Sequence, residues 1–332
     1  MEKYARFNYQ PCLPLGKDGR RVTASREHMM LAREAAGEGM VLLKNINNAL
    51  PLAKGEKIAL FGKATIEYIK GGGGSGDVHC PYVRNIFDGF LEKERRGMVS
   101  IYRPLIDFYK EYVKEGQKNV LTQAQIDDIW SVVNAMEFCQ KRDDMTYDTF
   151  ARMHVPEAEV PDELIKSAAE NADTAIITLS RFSAEGVDRR PQGGDYYLSD
   201  LEKDLIKKAT ALFKKVIIVL NSGAVLDCED FADDDNVQGI LFSWQGGMEG
   251  GMAIADILCG DVNPSGKLPD TITKGYDFYP GKDDFWECFD HVDYSEDIYV
   301  GYRYFETMKK DAVRYPFGFG LSYTQFELSG AV

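Results

Sequence analysis

Three observations predict an α/β fold, a three-layer sandwich in which a mostly parallel sheet carries helices on both faces. Short apolar, β-branched runs recur at Lys57 to Phe61 (KIALF), Thr174 to Leu179 (TAIITL), Val216 to Leu220 (VIIVL) and Gly239 to Ser243 (GILFS). These runs are continuous rather than alternating, which is the composition of strands covered on both faces. Segments with helical spacing separate them, and strands that alternate with helices build a parallel sheet.

Taken in order, residues 1–24 hold Pro11, Pro14 and Gly16 without a sustained period, and read as an arm lying over the body or toward a neighbouring domain. From Ser25, a plausible N-cap, Met29, Ala32, Ala36 and Met40 recur at helical spacing and predict an amphipathic helix to about Leu43. Lys57 to Phe61 is the first buried strand, followed by a glycine-rich segment, a helix over Val83 to Lys93 and a second strand at Met98 to Tyr102. The stretch 103–155 departs from the rhythm: Leu105 to Gly116 and Gln123 to Cys139 both show helical spacing, and we read it as a helical insertion on the sheet's rim or a widened crossover. Asp162 to Ala172 returns to a surface helix. Ser199, with Glu202 three residues on, is a capping-box pattern that opens the next helix, and Glu249 to Leu258 forms another. The aromatic, loop-rich stretch 275–332 reads as an irregular wrap that returns to the sheet. The body is then a single domain over 25–332.

Composition narrows the function classes. A net charge of −14, with no long basic run, argues against a nucleic-acid partner. No apolar stretch approaches the length that spans a bilayer and residues 1–21 contain no signal-like apolar core, so no membrane association and a cytoplasmic location are expected. Six cysteines, at 12, 80, 139, 228, 259 and 288, are scattered without a CxxC pair, which is neither a disulfide framework nor a zinc site; Cys259, inside IADILCG, reads as a small core residue. The four histidines lack metal-ligand spacing, and no metal or cofactor is expected.

Chemistry is expected after the strand Thr174 to Leu179, because ligands of open α/β sheets bind outside the carboxyl ends of the strands. That places Ser180, Arg181, Ser183, Glu185, Asp188, Arg189 and Arg190 within reach of a cleft. Ala184 and Gly186 flank Glu185 and leave its carboxyl unobstructed. Composition alone makes the same loop a solvated, charge-balanced turn. Asp188 and Arg189 read as an internal ion pair rather than as a second catalytic group. Gly71 to Gly76 satisfies G-x-G-x-x-G, but nine residues separate it from Phe61 and Pro81 soon follows, so the dinucleotide reading is weak.

The loop SRFSAEGVDRRPQGGDYYLSDLEKDLI resembles the acid/base loop of family 3 glycoside hydrolases, the β-glucosidase family. The resemblance extends upstream to Glu38-Gly-Met-Val-Leu-Leu-Lys-Asn45, Leu50-Pro-Leu52 and Gly71-Gly-Gly-Gly-Ser-Gly-Asp77. Downstream it takes in Ser243-Trp-Gln-Gly-Gly-Met-Glu-Gly-Gly251, Gly260-Asp-Val-Asn-Pro-Ser-Gly-Lys-Leu-Pro269, Gly301-Tyr-Arg-Tyr304 and Phe317-Gly-Phe-Gly-Leu-Ser-Tyr-Thr324. It covers nearly the whole chain apart from 103–155.

It implies the family's α/β-sandwich domain, with Glu185 as general acid/base and Ser75 as a contact to the sugar. It also implies a nucleophilic aspartate on a separate (β/α)8 barrel, in cis or in trans, and β-glucosides or cello-oligosaccharides as substrates. A barrel needs about 250 residues, which are not to be found here. The Met1 start matches the minority of members with the sandwich first and the barrel after it. Alone, the chain is then expected to be inactive. The alternative is a non-catalytic carbohydrate-binding or interaction domain on the same fold. Trp244 is either a sugar-stacking platform or a buried tryptophan at a strand end. The segments around Pro264 and from Phe317 to Thr324 read as structural.

Overall fold

The computed structural model describes residues 25–78, 80–137, 139–183, 189–282, 291, 293–325, 327, 329 and 330. The expected arm, 1–24, lies outside them. Strands β1 (Val41–Asn45), β2 (Glu56–Phe61), β3 (Val99–Ile101), β4 (Thr174–Arg181), β5 (Lys215–Ser222) and β6 (Val237–Phe242) form one sheet in the order β1-β6-β5-β4-β2-β3. Every neighbouring pair is parallel except β1 with β6, which pair antiparallel through Val41↔Phe242 and Leu42↔Leu241.

Successive side chains of a strand point to opposite faces, and here both faces are buried. Ala59, Phe61, Ile177, Leu179, Ile218 and Leu220 face one layer, built from α3 (Arg103–Gly116), α6 (Asp162–Asn171), α7 (Asp200–Leu212) and α8 (Glu229–Ala232). Ile58, Leu60, Ile176, Ile217, Val219 and Leu241 face the other, built from α2 (Ile86–Arg95) and α9 (Gly250–Leu258), with α1 (Arg26–Gly39) packed on α9. This is the three-layer α/β sandwich that the strand composition predicts.

Local signals set several boundaries. Ser25 accepts from the amide of His28 at the start of α1, and Ser199 and Glu202 close a reciprocal capping box on α7. The first helix does not run to Leu43 as its periodicity suggested. It stops at Gly39, and Val41 to Asn45 is an edge strand instead. A short apolar run fits either state, and pairing with β6 decides it.

The stretch 103–155 folds into α3, α4 (Gln123–Val133) and α5 (Gln140–Ala151). The C-terminal stretch holds α10 (Tyr302–Met308) and returns through a small antiparallel pair, β7 (Ile272–Thr273) with β8 (Val313–Tyr315), and a bridge from Leu321 to Leu42. Among the described residues no helix is long and apolar enough to cross a membrane. Cys259 is buried at the end of α9, in the core as expected.

One charged cluster pins α1, α2 and α9 together. The Lys93 ammonium is fully buried; it donates to Asp256 and, at 2.7 Å, to Asp261, while Arg33 Nε donates to Asp256 at 2.5 Å. Asp256 keeps Arg33 and Asp261 keeps Arg96 when Lys93 is removed, so neither carboxylate is stranded outright. Lys93→Ala should lower the stability measured by urea titration by about 1–3 kcal/mol, the cost of leaving buried polar groups under-satisfied. A loss below about 1 kcal/mol would show that Arg33 alone satisfies Asp256.

Candidate active site

The order of strands reverses between β2 and β4. From β2 the chain crosses to β3 on one side, then returns over α3 to α6 to lay β4 on the other side of β2. Such a switch point opens a crevice outside the carboxyl ends of the two strands. Both segments that the sequence singles out leave the sheet there, the glycine-rich loop after β2 and the Glu185 loop after β4.

Backbone contacts stitch the two loops together. Gly62, at the end of β2, has φ +93° and lies so close to β4 that a Cβ would stand 2.2 Å from the Thr178 carbonyl oxygen, so only glycine fits. Ten residues on, a Cβ at Gly72 would meet the Ser183 carbonyl oxygen at 2.9 Å, and the amide of Gly73 donates to that oxygen at 2.8 Å. Ser75 follows in a short 3-10 turn, Gly74–Gly76.

The motif after β6 secures the far side of the glycine loop. Gly247 N–H donates to Lys70 O at 2.9 Å, Gly246 N–H donates to the Tyr68 hydroxyl at 2.9 Å, and Gln245 Nε2 donates to Ser183 Oγ at 3.4 Å. Asn221, buried at the end of β5, joins the same strand ends. Its Oδ1 accepts from Ile69 N–H at 3.0 Å and its Nδ2 donates to Trp244 O at 2.8 Å. Nothing in the sequence pattern marked Asn221, because its role depends on two loops distant in the chain.

Beside this junction lies a cavity of about 340 Å³ at the carboxyl end of β4. It is lined by Arg181, Phe182 and Ser183 of β4 and the chain just after it, by Tyr147 and Phe150 of α5, and by His154 and Glu157 of the segment that follows α5. Its cations are already neutralised. Buried Arg181 makes a bidentate pair with Glu202 at 2.6 and 2.8 Å, and Lys63 pairs with Glu67 at 2.9 Å. Arg189 pairs with Asp195, six residues on, across the turn that Asp195 closes, while Asp188, its expected partner, lies outside the described residues. With these charges paired, the cavity offers no free cation among the described residues to an anion.

The sequence profile described as the glycosyl hydrolase family 3 C-terminal domain matches residues 40–323. The chain belongs to this family. It is 44% identical to β-glucosidase A of Butyrivibrio fibrisolvens over 99% of its own length and 39% of that protein. It is 38% identical to the β-glucosidase of Ruminococcus albus over 91% of its length and 29% of that protein. Among solved structures, β-glucosidase 3B from Thermotoga neapolitana in complex with glucose superposes with a TM-score of 0.75 at 39% identity, over 92% of this chain and 39% of that one. The chain thus spans well under half the length of these relatives. It is a β-glucosidase-like α/β-sandwich domain, related to hydrolases.

Of the residues proposed from sequence, Glu185 and Asp188 lie outside the described residues, as does the Ser75 side chain. The segment that holds Glu185 and Asp188 is bounded by the described residues Ser183 and Arg189, and the Gly73–Ser183 hydrogen bond brings the two loops together. Trp244 stacks on Phe242 at 3.9 Å, with its indole N–H on the Gly39 carbonyl oxygen at 3.1 Å, half-buried at a strand end with one face covered. Among the described residues the glycine run leads only into the 3-10 turn Gly74–Gly76 and opens no α-helix, which removes the structural context of a dinucleotide site. Pro264 to Gly266 and the Phe317 segment serve packing. Gly266 N–H donates to Met40 O, and Leu321 N–H donates to Leu42 O.

Glu157 and His154 are perturbed in opposite ways. Burial pushes the Glu157 carboxyl up to about 7, against the two amides, Lys63 N–H and Ala158 N–H, that favour its charged form. Burial, and then the nearby Lys63 ammonium, pulls the His154 imidazole down to about 4 and keeps it neutral. The signs follow from linkage. The stability contributed by Glu157 is full below its ordinary 4.5 and is lost as pH rises through about 7. That of His154 is full above its ordinary 6.5 and is lost as pH falls through about 4. Glu157→Gln should therefore gain on the wild type by about 2 kcal/mol between pH 5 and pH 8, measured by urea titration. A difference independent of pH would contradict the buried-acid assignment.

Proposed function

We propose that this chain is the acid/base half of a retaining, exo-acting β-glycosidase of the β-glucosidase type, which removes terminal non-reducing β-D-glucosyl residues. The observation that carries the reading is the junction at the switch point. The loop bearing Glu185 and the loop bearing Ser75 leave adjacent strand ends and are tied by the Gly73–Ser183 hydrogen bond. A hydrolytic pair needs one further carboxylate, about 5–5.5 Å from the first, on the opposite side of the scissile bond. We assign it to an aspartate of a barrel domain held in cis or in trans, in keeping with relatives of which this chain spans 39% or less.

In the first step Glu185 donates its proton to the glycosidic oxygen while the barrel aspartate attacks the anomeric carbon, so the leaving group departs as a neutral alcohol. In the second, the Glu185 carboxylate takes a proton from water as that water displaces the aspartate. Ser75 holds a sugar hydroxyl throughout. The bare backbone of Gly71 to Gly74 lets the pyranose approach without a side chain in the way.

Acid catalysis matters in proportion to how poor the leaving group is. With the barrel present, Glu185→Ala should cut turnover of cellobiose by about 10²–10⁴-fold while sparing glycosyl-enzyme formation from dinitrophenyl β-glucoside. Azide should restore turnover and yield the β-glycosyl azide. The chain without a barrel should release no nitrophenol. Equal losses on both substrates with no azide rescue would remove Glu185 from the mechanism. Glu185-dependent hydrolysis by the lone chain would place a second carboxylate within it.

A further inference from the structure

Helix α5 has no place in the reaction just described, yet it touches both ends of the segment that carries Glu185. On the amino-terminal side, Phe182 packs against Phe150 of α5 with ring centroids 5.9 Å apart, and against His154, in the turn after α5, at 4.2 Å. On the carboxyl-terminal side, Tyr147 of α5 donates its hydroxyl proton to Asp195 Oδ2 at 2.8 Å and accepts from Gln192 Nε2 at 2.9 Å. The Arg190 guanidinium lies over the Tyr147 ring, 4.1 Å from its centroid, and pairs with Asp144 of α5 at 2.9 Å.

Asp195 is the hub of this second contact. Its carboxylate also accepts from Arg190 N–H at 2.7 Å and from Arg189, and its carbonyl oxygen accepts from Arg181 Nε at 2.7 Å and from Arg189 at 2.6 Å. The stretch 189–197 is thereby fixed to the end of β4 on one side and to α5 on the other. Gln192 N–H donates to Arg190 O at 2.8 Å within it, so the turn is internally closed as well.

We propose that α5 is a brace that positions the acid/base, with Tyr147 as its main positioning residue, acting on Glu185 through Asp195 and the loop stem. This rests on the reading of Glu185 given above. A proton donor must lie within hydrogen-bond reach of the glycosidic oxygen, and a displacement of about 1 Å from far away can cost about 10²-fold in rate. Fixing both ends of a short segment restricts where a group between them can go. The chemistry of α5 suits that task, because the Tyr147 hydroxyl holds a buried carboxylate rather than facing solvent.

Tyr147→Phe removes the hydroxyl and keeps the ring under Arg190, so it tests the brace without emptying the cavity. In the chain itself, hydrogen–deuterium exchange of the Arg190 and Tyr196 amides should quicken by about tenfold, while exchange in β5 stays unchanged. In the barrel-containing enzyme, kcat on cellobiose should fall by about tenfold with KM little changed, and kcat/KM on dinitrophenyl β-glucoside should stay within about twofold. Unchanged exchange at the stem, or equal losses on the two substrates while Glu185→Ala keeps its leaving-group signature, would overturn the brace alone. Loss of that signature in Glu185→Ala would overturn the parent reading and the brace together, so the two failures are told apart.

Discussion

The site depends on the closeness of two strand ends that are distant in the chain. Between β2 and β4 the polypeptide makes an excursion of more than a hundred residues, yet Gly62 must lie against the Thr178 backbone for the two loops to meet. Any side chain at Gly62 would push β2 from β4 and carry the glycine-rich loop with it. The Gly73–Ser183 hydrogen bond, the grip of Tyr68 on Gly246 and the reach of Asn221 to Ile69 and Trp244 all follow from that approach. The sheet sets the distance, and the loops then have little freedom left.

Charge is handled in the same economical way. Arg181, Arg189 and Lys63 stand around a half-closed cavity, and each has a carboxylate partner drawn from a neighbouring element. Glu202 serves twice, capping α7 through Ser199 and binding Arg181 at the end of β4. A helix start is thereby tied to a strand end, which fixes where the loop between them begins and ends. The lining that results is charged but paired. Glu157 is the exception, a carboxyl held by backbone amides alone and pushed up to about 7 by burial.

Much of this was legible in the sequence where local and tertiary preferences agree. Strands β4, β5 and β6 are continuous β-branched runs, and nothing but a doubly covered strand suits them. The capping box at Ser199 is local by nature. Strand β1 was hidden because Met40 to Leu43 continues the apolar pattern of α1, and only its pairing with β6 separates the two. Helix α5 lies inside the stretch read as a helical insertion, but its own segment, QKRDDMTYDTFA, has no apolar stripe, and the residues it buries are Thr146, Thr149 and Phe150. The pairing of Arg189 with Asp195 was not legible for a related reason: the turn from Arg189 to Asp195 folds the chain back on itself, and no local spacing marks it.

The central claim is that substrate meets this domain at the carboxyl ends of β2 and β4. A crystal structure of the barrel-containing protein with glucose bound tests it most directly. The account predicts a sugar hydroxyl within hydrogen-bond distance of Ser75 Oγ and the anomeric oxygen facing Glu185, with the Gly73–Ser183 hydrogen bond intact. Glucose bound against any other edge of the sandwich, or in the barrel with no contact to either loop, would contradict it.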